Sequence, residues 1–256
     1  MIDDRIWVFA GPSAPRDRRP RSEAFAWRPP AVAGDGLAAL AARPRAVVLI
    51  DGLFDHQPAI RHKELMALAE GGIPVFGAAS MGALRAAELH RHGMTGVGHI
   101  FQAYVRGRLV GDDEVAVLHG PAEMDWTALT VPLVNVRATL ARAARQRVVG
   151  LAAARRLREH ATHIFFQDRT WRTLLETAAA AGDVTAGALE RLRGWLPDGE
   201  VDLKQLDAQA CLATALARTR SAGPRPQPPP ASAPTAFTEA LARQVSSGQR
   251  PDPAGF

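Results

Sequence analysis

Gly72-Ile73-Pro74-Val75-Phe76-Gly77-Ala78-Ala79-Ser80-Met81-Gly82-Ala83-Leu84-Arg85-Ala86-Ala87-Glu88-Leu89-His90-Arg91-His92 decides how the chain is read. A short apolar run, residues 73–76, leads into four small or hydroxyl residues, Gly77-Ala78-Ala79-Ser80. A strongly helical segment follows from Met81 to Arg91. A buried strand, a tight turn and a helix account for that pattern. Ser80 falls on the corner, with Ala78 two residues before it and Gly82 two after. Small-x-Ser-x-small is the spacing of a nucleophile elbow, where a sharp strand-to-helix turn leaves no room for side chains around the exposed hydroxyl. The same serine equally suits a helix N-cap. Both readings stand at this point.

Working outward, apolar runs at residues 6–10, 46–50 and 115–118 predict three more strands. Gly11-Pro12-Ser13 ends the first and Asp51-Gly52 lies at the end of the second. Arg28-Pro29-Pro30-Ala31 predicts a stiff extended connection. Helices are expected from Asp35 to Ala42 and from Pro58 to Glu70, the latter carrying His62, Lys63 and Glu64 early and stopping at Gly71-Gly72. Strands alternating with helices imply an α/β fold, a mostly parallel open sheet with flanking helices. From Thr127 the pattern becomes helical, over residues 133–147, 151–163, 170–181, 186–195 and 203–218, the last opened by Asp202 with Gln205 three residues on. Prolines at 224, 226, 228, 229, 230 and 234 then mark a disordered linker. The expected organisation is an α/β core domain over 1–126, an all-helical annex over 127–220 and a proline-rich tail over 221–256.

Composition narrows the function classes. Of 256 residues, 47% are apolar, enough for an ample core, and no apolar run approaches a membrane span. Met1-Ile2-Asp3-Asp4 does not resemble a secretory signal, so a cytoplasmic protein is expected. A net charge of +5 invites a nucleic-acid reading, but only Lys63 and Lys204 are lysines among 31 basic residues. The arginines are spread over many helices and a single tyrosine is available for stacking, so no nucleic-acid partner is expected. Cys211 is the one cysteine, which excludes an intrachain disulfide and a cysteine metal site. His90 and His92 do not share a helix face, and Asp112-Asp113-Glu114 reads as a solvated acidic turn, so no metal site is expected. With no P-loop and no G-x-G-x-x-G after a strand, ATP or NAD binding has no motif on this chain.

In an open parallel sheet, ligands bind outside the carboxyl ends of the strands. On the expected strands, Ser13, Asp51, Ser80 and His119 lie just past such ends, and His62 lies one turn into the following helix. Ser80 would be the nucleophile, His62 or His119 the general base, and Asp51 the group that holds that imidazole. Backbone N–H groups at the start of the Ser80 helix would stabilise an oxyanion. Arg85 and Glu88, three apart, can equally form a helix-face ion pair. Ser13, Lys63, Met81, Gly82, Arg85 and Glu88 complete the candidate substrate-binding set.

Several of these segments together resemble one family. Val8-Phe9-Ala10-Gly11-Pro12-Ser13, Arg28-Pro29-Pro30-Ala31 with Gly34-Asp35, and Ile50-Asp51-Gly52 through His62-Lys63-Glu64 are similar to the TfuA-like family. So are Gly77 through Leu89, Gly93-Met94 with Gly96-Val97-Gly98, and Asp113-Glu114-Val115-Ala116-Val117-Leu118-His119-Gly120. The resemblance runs over residues 6–121 and continues weakly through 134–140. It implies a companion of YcaO enzymes, which use ATP and Mg to activate a backbone amide oxygen in a ribosomally made peptide or a protein. TfuA-like proteins accompany the YcaO when the product is a thioamide. A persulfide relay needs a thiolate, and Cys211 lies outside the motifs among apolar residues. Sulfur is therefore expected on another protein, a thiocarboxylated ubiquitin-like carrier of the ThiS type, with no cofactor on this chain. A thiocarboxylate is an anion, so Arg85, Lys63 and the helix N-terminus are candidates to neutralise it, and a histidine to protonate the departing sulfur. Two other readings remain open: a non-catalytic docking partner of a YcaO enzyme, and a stand-alone serine hydrolase.

Overall fold

The computed structural model describes residues 3–53 and 57–221. The proline-rich tail expected from residue 221 lies, beyond Ser221 itself, outside the described residues. Five strands form one parallel sheet in the order β2-β1-β3-β4-β5: β1 (Ile6–Phe9), β2 (Phe25–Arg28), β3 (Ala46–Leu49), β4 (Val75–Gly77) and β5 (Met94–Gly96). Val48 lies opposite Val8 on one side and Phe76 on the other. Helices α1 (Asp35–Ala42), α2 (His62–Glu70) and α3 (Met81–Leu89) connect β2 to β3, β3 to β4 and β4 to β5. The shorter α4 (His99–Val105) follows β5.

Alternation along the strands divides the core between the two faces of the sheet. Trp7, Phe9, Val47, Leu49 and Val75 pack with Leu65, Leu68, Ala86 and Leu89 of α2 and α3. Ile6, Val8, Val48, Ile50 and Phe76 pack on the opposite face with Ala208, Cys211, Leu212 and Ala215. Both faces are covered, which is why the strands read as continuous apolar runs.

The described residues divide by contact into two compact units, one running through Arg108 and resuming from Asp207 to Ser221, the other Leu109–Leu206. The boundary expected after residue 126 falls inside the second unit. That unit is helical: α5 (Leu133–Arg145), α6 (Leu151–His163), α7 (Trp171–Ala181), α8 (Ala186–Gly199) and the start of α9 (Leu203–Ser221). Leu140, Leu157, Leu174 and Leu192 centre its core. Thr170 and Thr185 cap α7 and α8 through their side chains, and Asp202 Oδ1 accepts from Gln205 N at 3.0 Å at the start of α9.

Three sequence expectations are corrected. Residues 115–118 are no strand of the sheet: Asp112–Glu114 is a 3-10 turn, and His119 makes only an isolated antiparallel bridge to Ala128. Glu114 is buried in a two-pronged ion pair with Arg137 at 2.7 and 3.0 Å, so the acidic run is not wholly solvated. The extended connection expected from Arg28 is preceded by an edge strand that the sequence reading did not include, β2, and the glycine-flanked Met94–Gly96 supplies β5.

Candidate functional site

The strand order places a topological switch between β1 and β3, where chain connections leave in opposite directions. Asp51 stands at that point and is buried. Its Oδ2 accepts from Gly11 N at 2.8 Å and Ser13 N at 3.0 Å, and its Oδ1 accepts from Ser13 Oγ at 2.6 Å. A carboxylate is suited to this because three converging donors need an acceptor with several lone pairs. Asp51 thus fixes the Gly11-Pro12-Ser13 turn. Its backbone accepts from Ala31 N at 2.9 Å, and Ala31 O accepts from Leu53 N, which clips the end of the Arg28-Pro29-Pro30 segment to the same rim.

Ser80 stands next along the rim, at the end of β4. The chain reverses at Ala79, whose φ of 67° is the left-handed region, and Ser80 N donates to Ala78 O at 2.9 Å. An i to i+2 bond around a residue of positive φ is a tight and strained three-residue turn. Ser80 is the N-cap of α3 through its backbone, since Ala83 N donates to its carbonyl. Its side chain makes no cap bond. Among the described residues the Ser80 hydroxyl has no hydrogen-bond partner, although the residue is 93% buried by its 7% exposure.

The small neighbours of Ser80 have a second cause. Gly82 N donates to Ile50 O at 3.1 Å, and a Cβ on Gly82 would collide with the Leu49 carbonyl. A Cβ on Gly77 would meet the Gly82 carbonyl in turn. These glycines let α3 start directly on the backbone of β3 and β4. Met81 is buried and its side chain lies against Gly52. Of the N–H groups expected to form an oxyanion hole, those of Ser80, Gly82 and Ala83 are engaged. The Met81 N–H is left without a partner among the described residues.

His62 is not held by Asp51. Its Nε2 lies 2.7 Å from Glu88 Oε2, and Arg85 Nη1 donates to the same oxygen at 2.8 Å. Arg85 Nε also donates to Ile60 O at 3.3 Å. Burial opposes the Glu88 charge, but the Arg85 hydrogen bond, with the charges of Arg85 and His62, outweighs it and holds the carboxyl below its ordinary value. Glu88 is eight residues along α3 from Ser80, a rise of about 12 Å. Arg85 and Glu88 do form the expected pair, and His62 joins them. Lys63 is exposed in the first turn of α2.

Glu64 was missing from the sequence-derived site. It is fully buried, and its Oε2 accepts from Gly34 N and Gly36 N at 2.9 and 3.1 Å while Oε1 accepts from Arg61 N at 3.1 Å. It therefore closes the N-termini of α1 and α2 together. Neither half was read from the sequence: the helix expected from Pro58 begins only at His62, and that later start is what puts Glu64 three residues after the N-cap Arg61. His119 belongs to the second unit, where its Nδ1 lies 2.8 Å from Gly120 O and its ring packs edge-on to Trp126. Cys211 is fully buried in the first unit, and burial, reinforced by Asp207, pushes its thiol far above the ordinary range. No group of three or more potential metal ligands occurs among the described residues.

The sheet and its rim define a doubly wound α/β protein with an uncommitted serine hydroxyl at one strand end. Residues 51–170 match the model of the family described as TfuA-like protein, so this part of the chain is a TfuA-like domain. The match begins at Asp51, later than the similar segments around Gly11 and Arg28, and extends through α5 and α6. No curated protein matches the chain. The TfuA-like match implies an accessory role alongside a partner protein. Among the described residues no helix is long and apolar enough to cross a membrane.

Proposed function

We propose that this protein is the accessory factor of a cytoplasmic YcaO-dependent thioamidation, releasing sulfide from a thiocarboxylated ThiS-type carrier. The YcaO partner carries the ATP and Mg and acts on the ribosomal peptide. The observation behind this reading is the Ser80 hydroxyl, held at a strained turn with no cap bond to make. Ser80 Oγ attacks the thioacid carbonyl, the C–S bond breaks, and the hydroxyl proton leaves on the sulfur. Water then cleaves the acyl-serine ester, so thiocarboxylate and water become carboxylate and hydrogen sulfide. The Met81 N–H and the start of α3 favour negative charge on the carbonyl oxygen. Within the first unit the candidate proton carrier is His62. Cys211 takes no part, because a buried thiol is neither thiolate nor accessible.

The test is sulfide release from carrier thiocarboxylate by wild type and Ser80→Ala. Loss of a nucleophile should slow release at least about 100-fold. Because Ser80 makes no side-chain cap, the variant should unfold within about 0.5 kcal/mol of wild type, where a true cap would cost about 1 kcal/mol. Undiminished release from Ser80→Ala would refute the assignment. The engagement of His62 by Glu88 and Arg85 favours a second reading, a non-catalytic docking partner. Abundant free sulfide would replace a sulfur-releasing enzyme but not a docking partner.

A further inference from the structure

The helices of the second unit carry a charge imbalance that the Ser80 site does not use. Between residues 133 and 163 there are seven arginines, 137, 142, 145, 147, 155, 156 and 158, and one acid, Glu159. Arg137 pairs with Glu114, and Arg155 and Arg156 share Glu159. Arg142 lies over the Trp195 ring. Arg145, Arg147 and Arg158 are left without a carboxylate among the described residues, and all three line one groove.

The groove runs between the end of α5 and the start of α6 and encloses about 520 Å³, within the size range of ligand sites. Its floor is apolar, formed by Leu140, Val149 and Ala154, and Leu151 stands 79% exposed at its edge. Gly150, the N-cap of α6, offers no side chain to the first N–H groups of that helix. An apolar trough edged by three unpaired guanidiniums is complementary to a segment that carries both apolar and acidic side chains.

We propose that this groove docks a short acidic amphipathic segment of a partner protein, independently of the Ser80 chemistry. The partner's apolar side chains cover Leu151 with Ala141 and Ala144, above the buried Leu140 and Val149, and its carboxylates pair with Arg145, Arg147 and Arg158. A nucleic acid fits less well, because the lining has no aromatic side chain on which a base could stack. A bilayer would meet Leu151 but would not follow a concave floor.

The test uses the full chain and a fluorescein-labelled dodecapeptide of leucine and glutamate at helical spacing, followed by anisotropy. Oligoglutamate, the leucine–lysine counterpart, oligouridylate and phosphatidylserine vesicles are the comparison ligands. The leucine–glutamate peptide should bind at least tenfold more tightly than each of them. Arg145→Glu with Arg147→Glu should weaken it at least tenfold, as should Leu151→Asp, and each substitution lies on an exposed residue. Amide shifts on unmodified protein, mapped by NMR, should centre on residues 140–158, so the result does not depend on variants that fail to fold. Equal binding of oligoglutamate, tighter binding of RNA or vesicles, unaltered affinity in both variants, or shifts centred elsewhere would each overturn the proposal.

Discussion

Three buried carboxylates hold the first unit together, and each accepts backbone N–H groups from a distant part of the chain. Asp51 holds the Gly11–Ser13 turn, Glu64 holds the starts of α1 and α2, and Asp207 accepts from His99 N and Ile100 N at 2.9 and 2.8 Å at the head of α4. Helix starts and tight turns present N–H groups that no intrahelical partner satisfies, and one carboxylate can satisfy two or three. Glu64 carries a pH signature. Burial raises its pKa above the ordinary 4.5, with the nearby Asp35 charge adding to the rise and three N–H bonds restraining it. The native state therefore binds this proton more tightly than the unfolded chain. Its contribution is complete below pH 4.5 and is lost as pH rises through the native value. In Glu64→Gln that component of the slope should vanish, so wild-type stability should fall relative to the variant from about pH 4.5 upward. At neutral pH the variant should still be less stable by about 1–3 kcal/mol, because the new amide nitrogen faces N–H donors. Urea titrations from pH 4 to 8 measure both, and a gap that widens with pH would show the sign to be wrong.

At the scale of elements, the junction between β4 and α3 shows how one stretch can satisfy two demands. Ala79 makes the reversal at a positive φ, and Gly82 lets the first turn of α3 touch the Leu49 carbonyl. Gly82→Ala should destabilise by about 1–3 kcal/mol or more, since the obstacle is rigid backbone. Gly194 in α8 has nothing near its Cβ position, so Gly194→Ala should stabilise by about 1 kcal/mol. Thermal melts of the two variants should move in opposite directions. The elements differed in how openly the sequence announced them. α6 and α7 carry a full apolar period and recognisable ends, and the structure gives them nearly the bounds read from that period. β2 was hidden by the prolines after Arg28, and β5 is three residues long between glycines. Val115-Ala116-Val117-Leu118 had a strand's apolar content, yet tertiary bonds decide its fate: the Val115 carbonyl accepts from the buried Lys204 Nζ at 2.8 Å. At the site, Asp51 and Ser80 were legible as strand-end residues, and the Arg85–Glu88 pair as a helix spacing. The commitments of Asp51 to Ser13 and of His62 to Glu88 were not, because each joins elements whose separation in sequence gives no local pattern.

For the whole molecule, the order of the chain matters more than any single element. The first unit begins with the sheet, is left at Leu109 and is rejoined at Asp207, within α9. Four residues of that helix, including Cys211, complete the core on one face of the sheet. Arg45 Nη2 donates to Thr219 O at 2.6 Å, a bond spanning 174 residues. Nothing local in residues 203–221 announces this, since α9 reads as one more helix of the annex. Cys211 is a built-in reporter of the closure. Its thiol is fully buried, so native protein should resist an aromatic disulfide reagent, while denatured protein should release one equivalent. In the native state the reaction requires α9 to open, and its rate measures the free energy of that opening. Asp207→Ala removes the acceptor for two α4 N–H groups one helical turn from Cys211, and should accelerate labelling by about tenfold or more. Equal rates in both proteins would mean that opening at Cys211 does not involve the α4 junction. A native rate close to that of a free thiol would mean that α9 does not close the core, and would make Cys211 available for the persulfide chemistry that burial otherwise denies it.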